Sequence, residues 1–521
     1  MQFTGIASGT GYSQSVFVTA NKPNYELNVS SEQSTTGTGV NWLNVSGTPA
    51  IGYTEFKVYP SSSADTQRTA YIHVVADNRI WATITVVQQM GESSGITSDA
   101  SVVMVWRYND TPQEETYISN KVPNTAKVDG RTVNLTVSGT GANLGCSYQF
   151  ASGEHTLELY YDSGTTEAIF GSSKNLVGFY IFHDVISCYG QPFRYKNGQN
   201  GARASELEHL YLWLGFTGFT SVNEYSYFIG ATPKLSAIEG DCPLISLDRR
   251  MLIFENKLVG FAPSGLTSYT FPDTITTIYS VFSYKYRTFV GDDANTGGIP
   301  CSTSISSFVL PSNLLEFFGD MSYMTSLEAI NLPNTVTAAT PSGSHKQTLQ
   351  DRFVGCTNLK SAYIPTGINS LYGTFSGCSS LSSVTIARTS QFEDIGDNCF
   401  SGCLSLSSIT LPDLASIGGN AFYNCTALSS VTFGTVYNDG YENAINNYAF
   451  GNCTNLQHIY FTGTGITTTA QGYAAINYTA FSGVRSGGTF HYKYNSNPGS
   501  IMSNNQYYLG YYNWTAVNDI T

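Results

Sequence analysis

Charge is scarce in this chain of 521 residues. Asp, Glu, Lys and Arg make up 12% of it, about half the share of an ordinary soluble domain. The balance is acidic, 24 basic against 37 acidic side chains for a net charge of −13, and no Lys/Arg cluster occurs. Nucleic-acid binding through phosphate neutralisation is therefore not expected. No apolar run is long enough to cross a bilayer as a helix. The opening Met1-Gln-Phe-Thr-Gly-Ile-Ala-Ser-Gly has neither the basic nor the apolar region of a secretory signal, and no cysteine near it could carry a lipid. Two expectations follow: an export signal trimmed away, or a virion protein that leaves its host by lysis, the second being preferred. Catalytic motifs are sparse. The ten cysteines include no CxxC pair, which argues against a zinc site. The seven histidines (His73, His155, His183, His209, His345, His458, His491) are scattered, without HExxH or HxH. Gly91-Glu-Ser93-Ser-Gly95 has the letters of a nucleophile elbow, but it lies in a Gly/Ser linker and not between a strand and a helix. No carboxylate pair for glycoside cleavage is marked by spacing.

What is abundant is neutral and hydrogen-bonding: 36 Tyr and 50 Gly, with many Ser, Thr and Asn. Such a surface suits β structure, outer-surface proteins and fibres. One phrase recurs five times, as Phe353-Val-Gly-Cys356-Thr-Asn-Leu359, Phe375-Ser-Gly-Cys378-Ser-Ser-Leu381, Phe400-Ser-Gly-Cys403-Leu-Ser-Leu406, Phe422-Tyr-Asn-Cys425-Thr-Ala-Leu428 and Phe450-Gly-Asn-Cys453-Thr-Asn-Leu456. The cysteines are 22, 25, 22 and 28 residues apart. A fixed phrase at this period predicts a leucine-rich-repeat solenoid, in which one repeat cannot bury its apolar face and a stack of them can. Each phrase runs into an alternating segment such as Leu381-Ser-Ser-Val-Thr-Ile386, read as a short strand with one buried face. Pro311, Pro333, Pro365 and Pro412 follow such strands, where a residue without an N–H ends a ladder. Ile395-Gly396 and Ile417-Gly418, upstream of the Phe, are read as the start of a short helical turn. The phrase Cys could suggest a metal ligand or a disulfide, but Met324 and Val484 take the same slot in other copies. A core position tolerates that exchange and a ligand does not, so the Phe, Cys and Leu of the five phrases are assigned to the core.

Weaker copies extend upstream: Leu266-Thr-Ser-Tyr-Thr-Phe-Pro272, Ser307-Phe-Val-Leu-Pro311, Leu327-Glu-Ala-Ile-Asn-Leu-Pro333 and, faintest, Phe170-Gly-Ser-Ser-Lys-Asn-Leu176 and Phe228-Ile-Gly-Ala-Thr-Pro-Lys-Leu235. The sequence Ile-Gly, Ala-Phe, Gly-Cys, Leu, then a strand ending in Pro, resembles the BspA-type leucine-rich repeat, well over 245–490 and poorly over 166–244. The resemblance implies a right-handed solenoid in extracellular adhesion or host-contact proteins of gut Bacteroidetes and their phages.

Residues 1–90 differ in texture. Ser15–Thr19, Tyr25–Val29, Phe56–Tyr59, Thr69–Val74 and Ala82–Val87 alternate with period two between polar turns, the signature of a small β-sandwich. Trp42-Leu43-Asn-Val, the Arg68-Thr69-Ala70 turn and the closing Ile84-Thr-Val-Val-Gln88-Gln89 resemble the BACON domain. That resemblance implies carbohydrate association, or a spacer or mucin-contacting role. Tyr53, Tyr71 and Trp81 are then either a sugar platform or, the preferred reading, packing residues. Residues 91–165 are read as a linker and a small β domain covering the first repeat, with strands at Ser101–Trp106, Val133–Val137 and His155–Tyr160. Residues 166–490 are the solenoid. In the C-terminal segment, 491–521, Tyr507, Tyr508, Tyr511, Tyr512 and Trp514 either shield the last repeat, which is preferred, or form an exposed binding patch. Asp292, Asp293 and Asn295 in an acidic insertion are a weak candidate for calcium; no other metal and no cofactor is expected.

The chain is thus expected to be mainly β: a sandwich, a small β cap, a capped solenoid. The function expected is non-enzymatic recognition outside the cell, on a virion surface (a head or tail fibre or decoration protein among other virion proteins) contacting host or mucosal glycans. The alternative is a bacterial surface adhesin binding glycan or a cell-surface protein. A glycan-active enzyme is the third reading. The contact surface is expected on the solenoid strands and the insertions 284–302, 337–350 and 434–444. A homo-oligomer would suit a fibre.

Overall fold

The computed structural model describes residues 2–3, 14–20, 25–33, 40, 43–60, 68–77, 79–88, 99–108, 116–139, 144–171, 175–194, 206–220, 232–279, 281–284, 299–300, 302–339, 347–387, 392–436, 444–463, 476–493, 502 and 508–520. Among them the protein is almost entirely strand and turn, with a 3-10 turn at Leu509–Tyr512 and no helix long and apolar enough to cross a membrane. The acidic insertion with Asp292, Asp293 and Asn295, the elbow-like Gly91–Gly95, Trp42, Phe228, Tyr507 and most of the three insertions lie outside the described residues.

The N-terminal residues form two sheets. One has the order Gln2–Phe3, Arg79–Gln88, Arg68–Ala76, Glu26–Ser30; the other, Gln14–Ala20, Gly52–Pro60, Leu43–Ser46. Val16, Leu43, Phe56 and Val58 of the second sheet meet Ala70, Ile72 and Val86 of the first, with Tyr25, in one core. His73 is fully buried, and both ring nitrogens are bonded, to Thr83 Oγ1 and to the Glu32 carbonyl.

Two further sheets occupy residues 102–240. In the first, Arg131–Val133, Thr125–Val128, Gly153–Tyr160, Val102–Tyr108 and Leu176–Ile181 pair antiparallel, and His209–Leu212 and Glu239–Gly240 continue in parallel. In the second, Thr136–Ser138, Gly145–Tyr148, Thr116–Ser119 and Ala168–Gly171 pair antiparallel, and Ser187–Arg194 and Gly218–Thr220 continue in parallel. Both sheets change from antiparallel to parallel on the segment 168–181. Trp106, Phe150, Phe170, Phe179 and Leu157 fill the space between. Two expectations fail here. Phe170 and Leu176 are not a copy of the turn phrase; they sit on two strands in different sheets. The run Val133–Val137 is not one strand: Arg131–Val133 and Thr136–Ser138 belong to opposite sheets.

From residue 257 onward two parallel ladders run side by side. One contains Ala329–Asn331, Ser361–Ile364 and Ser383–Ile386, then Ser408–Thr410, Ser430–Phe433, His458–Phe461, Thr489–Lys493 and Thr515–Ile520. The other contains Lys257–Phe261, Thr277–Ile278 and Glu316–Phe317, then Thr348–Gln350, Ser370–Tyr372, Phe392–Ile395 and Leu414–Ile417, and passes through single bridges to Ile445 and Ile476. The second ladder shifts the expected helical turn at Ile395-Gly396 and Ile417-Gly418: both isoleucines end strands, and a single turn follows, with the Cys399 N–H on the Gly396 carbonyl and the Ala421 N–H on that of Gly418, each at 3.3 Å.

The phrase joins the two ladders as a tight turn. In each copy the Cys N–H bonds to the Phe carbonyl and the Leu N–H to the Cys carbonyl, as in Cys378–Phe375 at 3.1 Å and Leu381–Cys378 at 3.0 Å. The residue before the Cys has positive φ: Gly355 69°, Gly377 74°, Gly402 74°, Asn424 61°, Asn452 58°. Glycine and asparagine tolerate that region best, which is why the phrase allows only these two there. The Phe rings then stack from repeat to repeat. Phe317, Phe353, Phe375, Phe400, Phe422, Phe450 and Phe481 have centroids 5.1 to 6.2 Å apart and planes within 17° of parallel. The Phe N–H of each of the five phrases also bonds forward, as Phe375 to the Cys399 carbonyl at 2.8 Å and Phe400 to that of Ala421 at 2.7 Å. Burying one such ring contributes roughly 1.5–3 kcal/mol, and each aromatic pair adds about 0.5–1.5 kcal/mol.

At the C-terminal end Trp514 is buried, its indole N–H donating to the Arg485 carbonyl at 2.7 Å. The Tyr508 hydroxyl donates to the Ile476 carbonyl at 3.1 Å, and that of Tyr512 accepts from the Gly483 N–H at 3.1 Å.

The middle of the ring column is its most sensitive point. Phe400→Ala removes one ring from contact with two neighbours and is expected to lower unfolding stability by about 3–5 kcal/mol. Urea denaturation followed by tyrosine fluorescence measures it. A loss below ~1 kcal/mol would mean that the column does not hold the repeats together.

Candidate binding face

Alternation along the first ladder decides which side chains meet solvent. Ile330, Ala362, Ile409, Val431, Ile459 and Phe490 point inward and are buried. Outward, the register aligns Ser361 with Ser383, and Ser408, Ser430, His458, Thr489 and Thr515 in a second run. Beside them stand Tyr363 and Thr385, then Thr410, Thr432, Tyr460, His491 and Val517. Neither column holds a charged carboxylate, lysine or arginine. The face offers hydroxyls in rows one strand apart, about 4.8 Å, suited to hydrogen bonding with a neutral polymer.

Near its C-terminal end the face becomes aromatic. Tyr460 lies flat on His491, centroids 4.4 Å apart and planes 12° from parallel. His458 Nδ1 and His491 Nε2 are 3.1 Å apart, and His491 Nδ1 is 2.8 Å from Asp519 Oδ2 on the last strand. Sequence reading passed over these histidines because they are 33 residues apart. The signal lay in the repeat: aligning His458-Ile-Tyr460 with Thr489-Phe-His491 sets both on adjacent strands. Among the described residues no group of three or more His, Cys, Asp or Glu gathers to hold a metal ion.

The aromatic residues singled out from sequence scatter. Trp81 is 70% exposed. The pairing passes from Val74–Ala82 to Val75–Ile80, so Trp81 is the extra residue of a bulge that sets it toward solvent, with its N–H on the Ala76 carbonyl at 3.1 Å. The packing reading therefore does not hold for Trp81. Tyr71 is half-buried and stacks on His73. It pairs with Thr85, four residues along the strand from Trp81, roughly 13 Å at ~3.3 Å per residue, so the two do not form one sugar platform. The side chain of Tyr53 lies outside the described residues. Tyr508, Tyr512 and Trp514 turn onto the last repeat, whereas Tyr511 is 51% exposed. Tyr372, Tyr448 and Tyr478, just ahead of phrase phenylalanines, are exposed as well and were not marked in the sequence.

The phrase cysteines are free, fully buried thiols. Each points back one repeat: Cys378 Sγ is 3.1 Å from the Phe353 carbonyl, Cys403 3.3 Å from that of Phe375, Cys425 3.1 Å from that of Phe400 and Cys453 3.1 Å from that of Phe422. The thiol is a weak donor as well as a small hydrophobe. Burial pushes these thiols up, Cys425 to about 12 and Cys378, Cys403 and Cys453 well above their ordinary value. They stay protonated near neutrality and are poor nucleophiles.

Residues 346–484 match the family model of the BspA type leucine rich repeat region, in six copies. No curated protein matches the chain. A solved structure that is similar is the crystal structure of a leucine rich cell surface protein from Faecalibacterium prausnitzii A2-165, 15% identical, covering 66% of this chain and 89% of that chain, with a TM-score of 0.30. Residues 346–484 are a BspA-type leucine-rich-repeat region; the likeness of 1–90 to the BACON domain has no counterpart among these matches.

Because the thiolate is the reactive form, alkylation of the folded protein by iodoacetamide at pH 8 is expected to leave Cys378, Cys403, Cys425 and Cys453 unlabelled until denaturant is added. Peptide mass spectrometry reads it. Rapid labelling of these four in the native state would contradict the burial described.

Proposed function

We propose that this chain is a non-enzymatic recognition protein of a cell or virion surface, in which the parallel ladders and their ring column form one stiff solenoid and the outward face of the first ladder meets the ligand. The observation that carries the reading is that face: register-aligned Ser and Thr without charge, ending in Tyr460, His491 and His458. A hydroxyl-rich surface whose aligned columns carry no charge, with an aromatic end beside the Asp519 carboxylate, matches a neutral glycan, whose own hydroxyls hydrogen-bond and whose ring faces stack on aromatics. The apolar side of the same strands is consumed by packing, so only this side is free to vary with the ligand. The resemblance of the repeats to host-contact proteins favours mucosal glycans, and a virion fibre or decoration protein is the preferred setting. The antiparallel strands of 102–160 and the aromatics Tyr508, Tyr512 and Trp514 act in this reading as the covers of the two solenoid ends.

Trp81 supports a second contact, on the N-terminal sheets, because its exposure at a bulge has no packing role to explain it.

The test uses immobilised mucin glycoprotein stripped of sialic acid and sulfate, so that only neutral glycan remains, and biolayer interferometry. Thr385→Arg with Thr410→Arg sets two long cations on the face and is expected to weaken mucin binding at least about tenfold, or ~1.4 kcal/mol. Exposed substitutions of this kind change stability by about 0.5 kcal/mol or less, so the melting temperature should hold. Undiminished binding by the double variant, with loss in Trp81→Ala, would move the site to the N-terminal sheets. No binding by the wild-type chain would remove mucin-type glycans as ligand.

A further inference from the structure

We propose that His458 and His491 form a binding site for a divalent transition-metal ion, oriented by Asp519, on the outward face where the ladder approaches its last strand. The two ring nitrogens, His458 Nδ1 and His491 Nε2, are 3.1 Å apart. With metal–imidazole bonds of about 2.0–2.1 Å, adjacent ligands of a tetrahedral or square ion have nitrogens roughly 2.9–3.4 Å apart. The pair already has that spacing, and a modest rotation of the rings converges both lone pairs on one ion.

The surroundings fix which nitrogen is bare. The Asp519 carboxylate accepts from His491 Nδ1, at 2.8 Å to Oδ2 and 3.0 Å to Oδ1. The proton of His491 is therefore on Nδ1, and Nε2 presents its lone pair toward His458. A carboxylate on the far nitrogen is the arrangement that accompanies metal-ligating histidines, since it sets the tautomer and raises ligand basicity. Tyr460 clamps the same ring from above at 4.4 Å. His491 is only 13% exposed, whereas Asp519 is 45% exposed, so the ring is held while the site stays open to water. The three residues stand on three neighbouring parallel strands, His458–Phe461, Thr489–Lys493 and Thr515–Ile520. Strands hold ligands more firmly than loops do.

Without metal the gap is closed by the His458 Nδ1 proton, donated to His491 Nε2. On binding, that proton passes through water to His458 Nε2, which leaves the Nδ1 lone pair for the ion. Two protein nitrogens leave the remaining positions to water, because no third His, Cys, Asp or Glu among the described residues joins them. Imidazole donors favour Cu2+, Ni2+ and Zn2+ over Ca2+ or Mg2+, with Cu2+ bound most tightly. The ion would tie the last strands of the ladder together and offer open coordination positions on the proposed recognition face. The inference stands on the histidine geometry and does not depend on what that face binds.

The experiment is electron paramagnetic resonance of Cu2+ added to the full, untagged, metal-stripped chain, with calorimetric titration of the same ion. The expected result is one Cu2+ per chain, with hyperfine splitting from two imidazole nitrogens, in the wild-type protein alone and therefore free of any folding defect in a variant. His458→Gln and His491→Gln should each weaken binding by about tenfold or more, and Asp519→Asn by about 10-fold through the lost orientation. His155→Gln, on the separate strand Gly153–Tyr160, should change nothing. A spectrum with one nitrogen or none, or a Cu2+ affinity that both histidine variants leave intact, would overturn the site.

Discussion

The phenylalanine column is the constraint on which the rest of the repeat region depends. A single repeat of some two dozen residues buries almost nothing by itself; its ring, thiol and leucine become interior only when another repeat covers them. The column meets this need in three ways at one place. The rings stack, the Phe N–H bonds forward to the next repeat, and the Cys thiol points back to the previous one. A turn residue with positive φ precedes each Cys, whose thiol reaches the carbonyl of the Phe one repeat earlier. These contacts are close to identical in every copy, so the repeats stack without a register choice to make.

Structure at the surface follows from that interior. Once the column fixes each turn, the strand after it has its inward positions assigned, and the outward ones line up from repeat to repeat. Ser383, Thr385, Ser408 and Thr410 are exposed, so they can change while the fold is unchanged. The period is not uniform, and its variation matters. The insertions that lengthen repeats beyond 22 residues leave the strand register intact, as between Ser430 and His458 or His458 and Thr489. His458 and His491, each on its own repeat, thereby come into contact.

Much of this was legible in the sequence, and the failures have physical causes. The phrase, its period and the strand after it are visible because alternation with one buried face leaves a period-two pattern. The second strand of each repeat was hidden. Phe392-Glu-Asp-Ile395 and Leu414-Ala-Ser-Ile417 bury their first and fourth residues, a spacing that also suits one turn of helix. The run Val133–Val137 looked continuous because composition does not record a chain crossing from one sheet to the other at Asn134-Leu135. Trp81 could not be placed, because a bulge is a property of two strands together. The exchange of the cysteine with Met324 and Val484 points to a buried position, which it occupies, but its bond to a carbonyl of the neighbouring repeat exists only in three dimensions.

Hydrogen exchange of the native chain, followed by mass spectrometry, tests the dependence on the column most directly. The amides of Phe375, Phe400 and Phe422 donate across repeats, so they should exchange slowest and as one block, with protection falling toward both ends of the array. Fast exchange in these central turns while the flanking strands stay protected would show that the ladders hold the repeats together without the column, and would contradict the account.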